Sequence, residues 1–200
     1  MKIKIKKEGK VKEFNLIKSW EDVTLETWLK LIHFHKGTKS EEAEETIAAL
    51  SDIPKDLIKR LELKDVAAIM TAISEAQDNQ NSSLKRIIQI DGKRYGFHPD
   101  LDSITLGEWA DIETFIKQDI QKNLPDIMAI LYRPIVEETD SGIYTIEAYD
   151  GNIAIRAEQM RKMSAEQVQN ALVFFYLFVN LLCLTSASFL IKKHKEMKKQ

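Results

Sequence analysis

The segment Trp20-Glu-Asp-Val-Thr-Leu-Glu-Thr-Trp28 returns 81 residues later as Leu101-Asp-Ser-Ile-Thr-Leu-Gly-Glu-Trp109, so one set of local contacts has to be satisfied twice along one chain. The match sets Val23, Thr24, Leu25, Trp28 and Leu31 against Ile104, Thr105, Leu106, Trp109 and Ile112. Each copy follows two short stretches that alternate polar and apolar residues around a glycine. The first pair is Lys2–Lys7 and Lys10–Phe14 around Glu8-Gly9; the second is Leu84–Ile90 and Lys93–Phe97 around Asp91-Gly92. Period two flanking a Gly turn predicts a β-hairpin in each copy. Gly9 and Phe14 match Gly92 and Phe97 at a spacing of 83, and the two-residue slip is assigned to the loop after the hairpin, where length changes cost little.

After each hairpin a polar turn leads to Thr24 or Thr105, both expected as helix N-caps, with Glu108 completing a capping box in the second copy. Trp28, Leu31 and Ile32 then share one helical face, as do Trp109, Ile112, Phe115 and Ile116. The two tryptophans are read as buried structural anchors. The first copy continues with a helix over Ser40–Leu50 capped by Ser40, a break at Ser51-Asp-Ile-Pro, and helices over Pro54–Leu61 and Lys64–Ala76. The second continues with Leu124–Tyr132, then inserts a hairpin over about residues 133–150 with its tip at Asp140-Ser-Gly142. That insert is expected to be exposed and to serve contact rather than folding. The reading is therefore α+β, mainly helical: a first module over 1–78, a polar linker at 79–83, and a second module over 84–200 ending in a long apolar helix.

That last helix is expected over Ser164 to about Lys198, because no Pro or Gly interrupts it. Its middle, Ala171–Ile191, holds 21 residues without a charge, enough to cross a bilayer, and a basic tail follows. Asn180, Thr185, Ser186 and Ser188 lower its apolarity, which favours burial in a core or under a partner. Phe174, Phe175, Leu177, Phe178, Leu181, Leu182 and Phe189 are the candidate partner-interface residues, since apolar positions cover more of the circumference than one small domain can bury. The alternative is a single-pass, C-terminally anchored protein with a duplicated soluble head.

A net charge of -2, with acidic and basic runs kept apart, provides no general field for nucleic acid. The patch of Lys85, Arg86, Lys93 and Arg94 holds only Tyr95 and Phe97 as stacking rings. One cysteine, Cys183, excludes an intramolecular disulfide, and Met1–Lys7 lacks the apolar run of a signal peptide. His33 and His35, two apart, point in opposed directions on a helix and do not share a metal. Asp140, Glu147 and Asp150 read as solvated loop carboxylates. No Gly-rich phosphate loop and no nucleophile elbow occurs, so the chain is expected to be no enzyme and to need no cofactor or metal.

The order Ser19-Trp-Glu-Asp-Val-Thr, Leu50-Ser-Asp-Ile-Pro, Asp91-Gly-Lys-Arg-Tyr, Ile104-Thr-Leu-Gly-Glu-Trp, Ile130-Leu-Tyr-Arg-Pro and Ala171-Leu-Val-Phe-Phe resembles a family of small proteins encoded among the virion and tail genes of tailed phages, especially phages of Bacteroidetes. The resemblance covers most of the chain and includes no catalytic signature. It implies a structural protein or an assembly factor similar to tail assembly chaperones, located in the host cytoplasm or the virion. Its partners would be phage structural proteins or a second copy. No residue-level site follows from it.

Overall fold

Alternation of lysine with isoleucine commits the N-terminus to a strand, because Ile5 reaches an apolar surface while Lys2 and Lys4 stay in water. The structure, a computed structural model, describes residues 1–7, 10–34, 37–78 and 83–185, with the backbone alone at 6, 7, 10 and 180–185. β1 (Lys2–Lys7) and β2 (Lys10–Asn15) form a two-stranded antiparallel sheet. A 3₁₀ turn at Trp20–Asp22 leads to α1 (Leu25–Phe34), α2 (Lys39–Leu50), α3 (Lys55–Ile58) and α4 (Leu63–Asp78). The second half starts with β3 (Ile87–Ile90) and β4 (Lys93–Phe97), a 3₁₀ turn at Leu101–Ser103, α5 (Leu106–Asp119) and α6 (Leu124–Leu131). It continues with β5 (Tyr132–Glu138), β6 (Tyr144–Ile146), α7 (Ala154–Met160) and α8 (Ala165–Thr185). β3, β4, β5 and β6 pair in that order as an antiparallel sheet, so the chain is α+β and mainly helical. At the β3–β4 turn Asp91 and Gly92 both hold positive φ, 50° and 79°, the requirement of the tight hairpin turn that an Asp-Gly pair supplies.

The same backbone hydrogen bonds recur in the two halves. Ile17 N–H donates to the Leu50 carbonyl at 3.0 Å and His98 N–H to the Leu131 carbonyl at 2.7 Å; Trp28 N–H reaches Thr24 at 2.9 Å and Trp109 N–H reaches Thr105 at 3.0 Å. The corner between α3 and α4 repeats between α7 and α8: Lys59 to Lys55 matches Arg161 to Ala157, both 3.1 Å, and Val66 to Glu62 matches Val168 to Ser164, again both 3.1 Å. Inward positions follow suit, with Ile69 and Ala171 both at 0% exposure. These bonds place Leu16, not Phe14, opposite Phe97, so the two-residue slip lies within the hairpin rather than after it. A strand can change length by two without turning its side chains over, whereas a change of one would invert every face.

Two apolar cores result. The first half encloses Ile5, Leu16, Trp20, Ile47, Leu50, Ile69 and Ile73; the second encloses Phe97, Ile112, Met128, Ile130, Tyr132, Met160 and Phe175. They are stitched together where α1 begins. Leu25 belongs to the second core and Ala165 to the first, each at 0% exposure, and Trp28 packs against both. Leu25 N–H donates to the Met163 carbonyl, and Ala165 N–H to the Val23 carbonyl, each at 2.7 Å.

Several expectations change. Trp28 and Trp109 are only partly buried, while Trp20 is the tryptophan enclosed by the core, at 5% exposure. An indole on the first turns of a helix lies over the seam between core and solvent, whereas the 3₁₀ turn points Trp20 inward, in the place Leu101 takes in the other half. Thr38 caps α2 instead of Ser40, because Glu41, and no residue suited to Ser40, closes a capping box with it. The inserted hairpin belongs to the fold: β5 pairs with β4, and Tyr144 is buried. Its rim, residues 136–143, is exposed, as are Thr145, Glu147, Ala148 and Asp150. α8 is described to Thr185, so the expected continuation to Lys198 lies outside the described residues. Among the described residues no helix is long and apolar enough to cross a membrane.

Candidate protein-contact site

The 3.6-residue period of α8 divides its apolar residues between two destinations. Val168, Ala171 and Phe175 turn inward, with Phe175 at 4% exposure and its ring 6.3 Å from that of Trp109. Val173 and Leu177, four apart, face outward at 61% and 63% exposure. Phe174 and Phe178 form the shoulder between these faces. Phe174 stands edge-on to Phe97 at 5.6 Å, an arrangement that favours the ring quadrupoles, and the Arg86 guanidinium sits 5.9 Å from its centroid.

Beside this shoulder the link from β4 to α5 leaves a groove of about 370 Å³, bounded by Arg86, His98, Pro99, Asp100, Leu101, Asp102, Phe174, Leu177 and Phe178. The link is held by its own turn. Asp100 Oδ1 accepts from Asp102 N–H at 3.0 Å, and Arg86 donates to the Pro99 carbonyl at 3.3 Å. An apolar floor with one guanidinium and two carboxylates at its rim suits an apolar side chain carried on a peptide or protein, the usual composition of a contact site.

Under the groove lies a buried charged group that joins three elements. Glu108, Arg133 and His98 are 1%, 4% and 6% exposed. Glu108 Oε2 accepts from Thr105 N–H at 2.7 Å and from the Thr105 hydroxyl at 2.6 Å, the reciprocal half of a capping box in which Thr105 Oγ1 caps α5 by accepting from Glu108 N–H at 3.2 Å. Its Oε1 lies 2.7 Å from Arg133 Nη2 as an ion pair and 3.7 Å from His98 Nε2. Burial alone would raise the Glu108 carboxyl, but the Thr105 hydrogen bonds and the charges of Arg133 and His98 hold it below the ordinary carboxylate range. Burial pushes His98 down, and Arg133 adds to this, while Glu108 opposes it. The Tyr149 ring lies 5.9 Å from the Arg133 guanidinium, and its hydroxyl donates to Asp111. Burial first, and the Asp111 carboxylate second, raise that phenol well above its usual range.

Of the interface candidates, Phe174, Leu177 and Phe178 come together at the groove. Phe175 does not: its side chain is committed to the core, because it follows Ala171 by one helical turn. The side chains of Leu181 and Leu182, and the whole of Phe189, lie outside the described residues. Sequence reasoning missed Pro99, Asp100 and Leu101, since a short link between elements has no periodicity to mark it. It read Glu108 only as a cap, although a glutamate on the inward face beside Trp109 and Ile112 needs a buried cation. Glu147 and Asp150 both pair with Arg156, at 3.3 and 2.7 Å. Among the described residues no three His, Cys, Asp or Glu side chains converge to hold a metal ion. No family model, curated protein or solved structure matches the chain.

Proposed function

We propose that this chain is a non-enzymatic phage structural or assembly protein, built from one module used twice and acting through protein–protein contacts at the outer face of α8. The observation that carries the reading is the apolar strip of Val173, Phe174 and Leu177 beside the groove. Water-exposed aliphatic groups one turn apart on a helix, next to a concave apolar floor, mark a surface that gains by being covered. The recurrence of backbone hydrogen bonds supports the duplicated module. The phage setting, in virion or host cytoplasm, rests on the sequence resemblance.

The double substitution Val173→Asp with Leu177→Asp should abolish co-purification with assembly intermediates or virions while leaving the circular dichroism spectrum and thermal midpoint unchanged, because neither side chain contributes to a core. Undiminished association of the doubly substituted protein would rule out α8 as the contact element. Expression without detergent separates this reading from a membrane anchor: recovery in the soluble fraction is expected.

A further inference from the structure

The contact that stitches the two halves together has a second, unused counterpart. The start of α1 docks onto the corner between α7 and α8: Leu25 N–H donates to Met163, Glu26 N–H donates to Arg161 at 2.9 Å, Ala165 N–H returns to Val23, and Thr24 bridges Ser164. By the matched hydrogen bonds, Ile104–Gly107 is the counterpart of Val23–Glu26, and Lys59–Leu63 is the counterpart of Arg161–Ala165. Each half therefore owns an entrance at its first helix and a corner before its last. Only the first entrance and the second corner are joined. The second entrance and the first corner stay open within the chain.

The open surfaces are apolar like the closed ones, with the larger Leu63 where the closed corner has Ala165. Leu25 and Ala165 are 0% exposed, while their counterparts Leu106 and Leu63 are 83% and 86% exposed, the two most exposed large hydrophobic residues among the described residues. Residues 62–64, the start of α4, are exposed, whereas 165 and 166 at the start of α8 are buried. The outward N–H groups at the first turn of α5 would find carbonyls at Lys59 and Leu61, as those of α1 find them at Arg161 and Met163.

We propose that copies of this chain associate head to tail, the α5 entrance of one copy docking on the α3–α4 corner of the next in the way α1 docks on the α7–α8 corner within the chain. The contact joins unlike surfaces, so it does not stop at two copies: each added chain presents a fresh entrance or corner, and growth ends only by closing a ring or by capping. This goes beyond the proposed function, because it assigns a surface away from the outer face of α8 and commits to self-association. The two stand or fall separately, since Val173→Asp with Leu177→Asp leaves both docking surfaces intact.

Two single variants test it. The wild-type chain should grow in mass with concentration in light scattering. Leu106→Asp, which blocks the entrance, and Leu63→Asp, which blocks the corner, should each stay monomeric, with self-affinity lowered at least about tenfold, because one buried leucine is worth that much. Mixed one to one, they should form a dimer and go no further, since the Leu63→Asp chain retains its entrance and the Leu106→Asp chain its corner. A wild-type chain monomeric at all concentrations, variants that still assemble, or a mixture that stays monomeric would each overturn the proposal. A further measurement does not depend on those leucines: Thr105→Cys with Glu62→Cys, in a Cys183→Ser background, should form disulfides between copies on oxidation and give a ladder of covalent oligomers. A single monomer band would count against it.

Discussion

Replacing Glu108 by Ala is expected to destabilise the protein by about 3–5 kcal/mol, because it leaves the Arg133 guanidinium buried beside His98 with no counter-charge and removes the glutamate half of the α5 capping box. Chemical denaturation followed by circular dichroism measures it. Glu108→Leu combined with Arg133→Met should recover much of the loss, since it removes both charges and keeps the space filled. A loss well under about 1 kcal/mol for Glu108→Ala would show that water reaches the guanidinium and that the network is not closed. The pH dependence follows from two lowered groups. His98 is harder to protonate folded than unfolded, so its share of stability is complete above its ordinary value of 6.5 and falls as acid protonates the unfolded state first. Glu108 is held below its ordinary 4.5, so its share is complete above that value and is lost as pH falls through the folded-state value. Both act in the same direction, and wild-type stability should decline below about pH 6 in two overlapping stages. Glu108→Gln should remove the lower stage and leave the upper one.

Tyr144→Ala should cost about 3–5 kcal/mol, comparable with removing a core aromatic, although it sits in the inserted hairpin. The ring covers Gly96 so closely that a Cβ added there would lie 2.4 Å from Tyr144 Cε2, and the hydroxyl donates to the Phe97 carbonyl at 2.7 Å. Gly96→Ala is therefore expected to destabilise as well, by about 1–3 kcal/mol from overpacking. Tyr144→Phe isolates the hydrogen bond at about 1 kcal/mol. Thermal and urea unfolding of the three variants would order them Ala first, Phe last. Should Tyr144→Ala leave the midpoint unchanged, the hairpin would be the dispensable contact loop that its sequence position implies.

The residues of the insert show why sequence misjudged it. Thr139, Asp140, Ser141 and Gly142 are turn formers and are exposed, as expected. Yet whether a hairpin is appended or integral depends on what its strands pair with, and β5 pairs with β4, which lies far back in the chain. In the first half the equivalent position stops at one bridge, Leu16 to Ser51. Nothing local in Tyr132–Ile135 distinguishes a strand that continues that bridge from a loop that leaves it. The groove was legible in the same partial way. Phe174, Leu177 and Phe178 stood out as apolar residues on an overfull helix, but their bounding wall comes from the link after β4.

What the sequence determined by itself is the local grammar and its repetition. The hairpin around Asp91-Gly92, the threonine caps, the Glu108 capping box and the helical faces all follow from interactions within a few residues. Which copies of those faces are covered was decided only in three dimensions. Leu25 and Leu106 follow similar residues, Val-Thr before one and Ile-Thr before the other, yet one is wholly buried and the other 83% exposed. Burial is set by non-local docking, and within one chain two entrances and two corners yielded a single joined pair. Likewise Trp20 rather than Trp28 is the enclosed indole, because core membership depends on how the halves meet, which no window of sequence encodes.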